Sequence, residues 1–224
     1  MPTTTGFISV ISNFPATLQN TSWEFQINSD NIKNKSFKWS TNANLTIPRN
    51  KLLKFQNLEK STYSYLIIGK SINTARAYTS TGVDPTTGKY IFVSVEGNPT
   101  FSPDYATDRT YIYNPDIKFY GGLENNIRFN NVELSFLFQY VKQIAPTFFN
   151  DVIPGNFNSG YGNQSTSVLD RWQKVGDNSK YQRFSTNSNV GDALSNYRNS
   201  NLAIGDASFL RLKNVSLYWT IPKN

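Results

Sequence analysis

The chain has 224 residues, of which 38% are hydrophobic, 17% charged and 15% aromatic, the last drawn mainly from Phe and Tyr. It contains neither cysteine nor histidine, which excludes a disulfide scaffold, thiol chemistry, a Ser-His-Asp triad and the commonest metal ligand, so no cofactor or metal site is expected. The formal charge is +7, but the cations are dispersed, as at Lys51, Lys54, Lys60 and Lys70, and no nucleic-acid-binding motif accompanies them, so the charge reads as a solvated surface.

No run approaches the roughly 18 apolar residues of a membrane-spanning helix. The opening MPTTTGFISV lacks the basic segment and apolar core of a signal peptide. Alternation of apolar and polar residues instead predicts strands. GFISVISNF (6–14) is a possible one. SWEFQIN (22–28) sets Trp23, Phe25 and Ile27 on one face, and the short turn SDNIKNK leads to SFKWSTNANLTI (36–47), with Phe37, Trp39, Ala43, Leu45 and Ile47 alternating with polar residues.

A long segment (48–119) follows. Within it GVDPTTGKYIF (82–92) has the Asp-Pro and Gly of a β-hairpin, and Asp104 and Asp108 in SPDYATDRTY read as turn formers rather than a hydrolase acid–base pair. NNIRF (125–129) and NNVELSFLFQY (130–140) are predicted to pair through a tight turn at Asn130–Asn131, since Asn tolerates positive φ. The second long segment (142–208) holds STSVLDRWQKVGD (165–177), expected to form one short helix with Ser165 or Thr166 as N-cap, Val168, Leu169 and Trp172 on one side, and Gly176 as its stop. FLRLKNVSLYWTI (209–221) is the last strand, with a parity slip at Lys213–Asn214 that predicts a β-bulge.

The connections therefore run short, long, short, long, the pattern of an outer-membrane barrel with tight periplasmic turns and large extracellular loops. A sandwich would show turns at more even spacing. No apolar-face position of these strands is Asp, Glu, Lys or Arg, as expected where Lys or Arg at the lipid midplane costs about 2–4 kcal/mol. The expected fold is all-β, an antiparallel transmembrane β-barrel segment with long extracellular loops. On this reading Val132, Leu134, Phe136, Phe138 and Tyr140 face lipid. Five or six strands fall short of the roughly eight needed for closure, so the strands are expected to belong to a larger barrel.

Several words recur in a family pattern. They are Asn20 with Glu24; Trp39 with Asn44; Gly82-Val83-Asp84-Pro85 with Thr87-Gly88 and Tyr90; Gly121-Gly122 with Asn125; Leu134-Ser135; Leu169 with Arg171-Trp172-Gln173 and Gly176-Asp177; and Ser208-Phe209-Leu210-Arg211-Leu212-Lys213-Asn214-Val215. In this order and spacing the chain resembles the C-terminal half of the SusC/RagA family of TonB-linked outer membrane proteins. The resemblance implies a place in a barrel of about 22 strands in the outer membrane of a Bacteroidota-type bacterium. It also implies import of oligosaccharides or peptides with energy from TonB, under a SusD-like surface lipoprotein. The family's signal peptide, TonB box, plug and closing strands are expected to lie outside residues 1–224, so that contact with the TonB complex runs through other parts.

The resemblance makes Gly82, Asp84, Pro85 and Gly88 a family-motif turn. Tyr161, Arg171 and Trp172 are the loop residues expected to meet nutrient or lid, and no catalytic residue is expected. The alternative is a secreted soluble β-sandwich that binds carbohydrate, with aromatic residues stacked on sugar rings and sequons such as Asn20-Thr21-Ser22 and Asn163-Gln164-Ser165 marking its surface.

Overall fold

A computed structural model describes residues 13–147, 164–185 and 195–221. In chain order the strands are β1 (Ala16–Lys33), β2 (Phe37–Phe55), β3 (Ala75–Ala77), β4 (Thr79–Val83), β5 (Tyr90–Val93), β6 (Pro99–Thr100), β7 (Tyr111–Tyr113), β8 (Phe119–Phe129), β9 (Val132–Lys142), β10 (Ile144–Pro146), β11 (Ile204–Asp206) and β12 (Phe209–Trp219). Five of them form one antiparallel sheet in the order β1-β2-β8-β9-β12, each strand beside its predecessor in the sheet. The possible strand at 6–14 falls almost wholly outside the described residues.

Both short turns lie at one end of this sheet. The first is tighter than the predicted SDNIKNK: β1 continues to Lys33, and the Asn34 side chain accepts from the backbone N–H groups of Ser36 and Phe37 at 3.1 and 2.7 Å. The ladder absorbs the extra length in a bulge between Asp30 and Ile32. The second turn is the predicted one, with Asn130 at φ 50° and its N–H donated to Ser36 O across the two turns. The bulge predicted near Lys213–Asn214 appears as a register shift between Leu212 and Asn214.

At the other end β2 and β8 are longer than their alternation suggested. Beyond Thr46, the last residue paired with β8, β2 runs on through Pro48 to Phe55 beside β1, with Leu52 exchanging backbone hydrogen bonds with Gly69 and Lys70 on its other side. A proline's missing N–H breaks no ladder bond on a side where the ladder has already ended. β8 begins at Phe119 rather than Asn125 because Gly121 and Gly122 interrupt the apolar pattern without interrupting the strand. The Tyr140 ring occupies the space over Gly121, with its hydroxyl donating to Asn44 O at 3.1 Å. A Cβ at Gly121 would lie 2.5 Å from that hydroxyl oxygen. Glycine at 121 makes room for an aromatic ring reaching across two strands.

The register places apolar residues on a single face. One rung reads Ile27–Ala43–Leu123–Phe138–Leu212 and another Phe25–Leu45–Gly121–Tyr140–Leu210. Val132, Leu134, Phe136, Phe138 and Tyr140 all lie on this face. No second layer covers it: Trp23, Leu210, Leu217 and Trp219 are each about 70% exposed. Its polar groups are satisfied within the face, since Asn125 Oδ1 accepts from Trp39 Nε1 at 2.9 Å and from Thr41 Oγ1 at 2.8 Å. The opposite face carries Glu24, Lys38, Asn42, Asn44, Arg128, Glu133 and Gln139. A sandwich would bury the apolar face against a second sheet. Here it is the exposed one, and the fold is an antiparallel barrel segment.

The main buried cluster lies elsewhere, between the two long connections. Tyr78, Tyr90, Phe92, Tyr197 and Ala203 form it. Tyr78 N donates to Asn199 O and Asn201 N returns a bond to Tyr78 O, so the residues around 78 and 200 pair although more than a hundred positions separate them. The loops are thus one folded cap at the loop end of the sheet.

Candidate functional site

The cap is assembled around the Gly82–Gly88 turn. β4 and β5 form the expected hairpin, and Asp84 organises its tip: Oδ1 accepts from Thr86 N at 2.8 Å, Oδ2 from Thr87 Oγ1 at 2.9 Å, and the backbone carbonyl from Gly88 N at 2.8 Å. These bonds hold the Asp84 carboxyl below its ordinary range, the Thr86 N–H first among the causes. Gly88 has φ +68°, a conformation that L side chains rarely adopt.

The second long loop docks on this tip. The expected helix over 165–177 is a shorter 3₁₀ turn, Thr166–Asp170, whose N-cap Ser165 accepts from Ser167 N. The chain leaves it at Arg171 because Arg171 and Trp172 pair with the segment at Tyr181 instead of continuing the turn: Arg171 bridges to Tyr181, and Trp172 N donates to Tyr181 O at 2.9 Å. Trp172 is then free to turn its indole onto the hairpin. Its Nε1–H donates to Pro85 O at 2.9 Å and its ring covers Gly88, where a Cβ would come within 2.5 Å of the ring carbons. Gly176 N also reaches Pro85 O, and Arg183 N donates to Gly88 O at 2.7 Å.

The structure thereby joins Gly82, Asp84, Pro85 and Gly88 to Trp172, two motifs that are far apart in sequence. Arg171 is half-buried, with its guanidinium Nη1 near Val168 O at 3.4 Å. Tyr161 lies outside the described residues.

Asp104 and Asp108 cap a turn in the same cap. Asp108 accepts from Val95 N and Asp104 N, and Asp104 accepts from Ala106 N and Thr107 N, all at 2.8–2.9 Å. Backbone donors hold both carboxyls below the usual range, the wrong direction for a general acid. Asp177 is lowered in the same way, by the Gln173 and Lys174 N–H groups. Burial, by contrast, pushes the Tyr197 phenol up to about 12 where it stacks on Tyr90 at 4.6 Å.

Four cap carboxylates with lowered pKa set a pH limit. The unfolded chain takes up these protons near pH 3.9, whereas the folded cap resists them. The stabilisation is complete above that pH and is lost as pH falls below about 4. Cap unfolding, followed by circular dichroism of its aromatic cluster, is expected to be flat from pH 7 to 5 and to shift to lower temperature below pH 4. A flat profile down to pH 3 would contradict the assignment.

Beneath the cap, on the polar face, lies a recess of about 610 Å³. Glu24 of β1, Pro48, Arg49 and Asn50 of β2, Asp116 just before β8 and Tyr120 within it line it. Asn50 fixes its roof, donating to Asn20 Oδ1 at 2.7 Å and accepting from Ile72 N at 3.0 Å. The family words include Asn20 and Glu24 but do not reveal the recess, because the local alternation ends the second strand at Ile47. Extending the alternation past Pro48 would have placed Asn50 on the same face as Glu24.

Comparison with known proteins then decides what this arrangement is. No family model matches the chain. It is 26% identical over 252 residues to the TonB-dependent receptor P3 of Formosa agariphila, a match covering 100% of this chain and 24% of the receptor. It is 25% identical to TonB-dependent receptor P26 of the same organism, over 99% of this chain and 24% of that receptor. The structure of the RagAB peptide transporter superposes with a TM-score of 0.74 at 20% identity, covering 99% of this chain and 25% of that one. The RagAB peptide importer in its open-open state gives 0.75 at 17% identity.

The chain is a SusC/RagA-like barrel segment.

It spans about a quarter of the length of the curated relatives it matches. The SusC/RagA-like fold accounts for the uncovered apolar face, which belongs to an outer-membrane barrel, and for the contrast between tight turns and long, folded connections. The soluble sandwich is not favoured.

Proposed function

We propose that this segment forms part of the wall and mouth of a TonB-dependent importer that takes oligosaccharides or peptides across the outer membrane. The observation that carries the reading is the five-stranded sheet with an uncovered apolar face, a polar opposite face and a folded cap at the loop end. In this reading Val132, Leu134, Phe136, Phe138 and Tyr140 meet lipid, and the face with Glu24, Asn44 and Gln139 lines the lumen. The edges of β1 and β12 are completed by neighbouring strands of the larger barrel, since unpaired backbone groups in lipid cost several kcal/mol each.

The partners proposed are a SusD-like surface lipoprotein over the cap and the TonB complex reached through other parts of the transporter. Tyr161, Arg171 and Trp172 are the proposed loop contacts to nutrient or lid. For Trp172 the support is its position, since it ties the Pro85–Gly88 turn to the second loop and so sets the shape of the surface offered to either. In the full-length protein Trp172→Ala is expected to reduce growth on the cognate nutrient several-fold while leaving the amount in the membrane unchanged. Undiminished growth at normal membrane levels would remove Trp172 from the proposal. Loss of growth on every candidate nutrient when the gene is deleted tests the import reading itself.

A further inference from the structure

We propose that the outward side of the β1–β2 hairpin, above the apolar rows, docks the phosphate groups of an outer-leaflet glycolipid through Arg49, Lys51 and Lys54. The proposal rests on the reading that the apolar face meets lipid. That face ends at the rung Trp23–Ile47, and the register continues it upward through Thr21–Arg49, Gln19–Lys51 and Thr17–Lys54. Three successive rows of one face thus carry a cation, each opposite a neutral residue. The acids of these two strands, Glu24 and Asp30, lie on the polar face, opposite Thr46 and Ser40.

Each row adds about 5 Å of height on a strand tilted by roughly 40°, and the headgroup layer is about 5–8 Å thick on either side of the hydrocarbon core. Arg49 therefore stands in that layer. Lys51 stands at its upper edge, within reach of a long side chain that turns down, and Lys54 one row higher. Lys142, level with Ile47 through the pairing of Phe119, has an acid of its own, Asp206 at 2.6 Å. Lys51 and Lys54 are exposed and enter no ion pair among the described residues. Arg49 is shared with the recess: its Nη1 donates to Pro48 O at 2.6 Å and to Lys118 O at 3.0 Å, across the gap where β8 has stopped pairing with β2.

The two ends of the apolar face differ. At the turn end its last row is Phe37–Phe129–Val132–Trp219, with no charged residue. The lysines there, Lys33 and Lys38, oppose each other on the polar side instead. Cations needed only for solubility have no reason to favour one end of one face. A row of cations continuous with a lipid-facing surface, and without acids of its own, selects an anionic headgroup. Juxtamembrane cations draw such lipids to the surface, and N⁺–H···O⁻ bonds are roughly twice as strong as neutral ones. An uncharged headgroup would leave the repulsion among the three cations unrelieved.

The test uses the full-length protein in detergent micelles, titrated with diphosphoryl lipid A and read by native mass spectrometry. The protein is expected to retain the lipid, K51Q/K54Q to weaken retention by about tenfold or more, and K51R/K54R to keep it. K33Q/K38Q removes the same charge at the other end and is expected to bind as the wild type does. Unchanged retention in K51Q/K54Q would overturn the proposal, as would an equal loss in K33Q/K38Q or a loss in K51R/K54R. Lipid A stripped of its phosphates and held as tightly would overturn it, and so would displacement of the lipid by an equal concentration of inorganic phosphate, which would mark a free-anion site. Heat-modifiable migration on gels verifies that each variant barrel is folded. The lipid-face reading fails separately, if Leu123→Arg destabilises the barrel no more than Glu124→Arg.

Discussion

Leu123→Arg is expected to destabilise the assembled barrel by about 2–4 kcal/mol, the cost of an arginine on the lipid face near the bilayer midplane. Leu123 lies in the middle of β8, on the rung Ile27–Ala43–Leu123–Phe138–Leu212. Its two rung neighbours are apolar, and no carboxylate shares its face of the sheet nearby. A guanidinium placed there must reach several residues along the strand to find water or a headgroup. The neighbouring position supplies the control. Glu124 points to the polar face, between Asn42 and Leu137 in register, and Glu124→Arg is expected to cost less than about 0.5 kcal/mol, as at an ordinary surface site.

The measurement is urea-induced unfolding of the full-length protein in lipid vesicles, read from tryptophan fluorescence. Equal effects at 123 and 124 would mean that the apolar face does not meet lipid, and the assignment of Val132, Leu134, Phe136, Phe138 and Tyr140 would fall with it. Both substitutions place an arginine on the same strand at nearly the same depth, the second also removing a carboxylate. They differ in the face on which the side chain emerges, so the comparison isolates that face.

The second large effect is expected at Gly88. Gly88→Val combines two penalties. A β-branched residue at φ +68° is strained by roughly 1–2 kcal/mol, and its Cβ would stand 2.5 Å from the Trp172 ring carbons, so the indole must leave. With the indole go its bond to Pro85 O and the neighbouring Gly176 N and Arg183 N contacts to the same turn. A combined loss of about 3–5 kcal/mol in the cap follows from the strain, the displaced aromatic ring and the broken hydrogen bonds.

The sheet should be untouched by this change, since none of these groups lies in β1, β2, β8, β9 or β12. Hydrogen exchange of the full-length protein is the measurement, with faster exchange expected at 82–93 and 172–183 and unchanged exchange in the five long strands. A double variant, Gly88→Val with Trp172→Ala, removes the clash but keeps the backbone strain. Recovery of part of the protection in that variant would show how much of the penalty is steric. Protection at 172–183 unaltered by Gly88→Val would mean that the two loops do not depend on each other.

These two predictions sit on opposite sides of what the amino-acid sequence reveals. The face of each sheet strand follows from local chemistry alone. Trp23, Phe25 and Ile27, or Leu134, Phe136 and Phe138, alternate with polar residues because successive side chains on a strand point to opposite faces. The hairpin at Asn130–Asn131 and the bulge near Asn214 were equally legible, since positive φ and a parity slip each leave a mark within a few residues. So were the long-and-short rhythm of the connections and the ordered family words.

What stayed hidden depended on partners distant along the chain. β8 begins six residues before its alternation does because Tyr140, on the next strand, fills the space over Gly121. β2 continues past Pro48 because the ladder with β8 has ended there. The Thr166–Asp170 turn stops short because Trp172 finds a better partner at Pro85 and Gly88 than in another turn of helix. Glu24 and Asp116 meet in one recess only after the first long loop folds back on Asn50. Alternation, turn chemistry and motif words are local properties and can be read in one dimension. The pairing of Trp172 with Gly88, the common core of the two loops and the recess beside Glu24 arise from contacts between residues about eighty to a hundred and twenty positions apart, and the tertiary structure alone decides them.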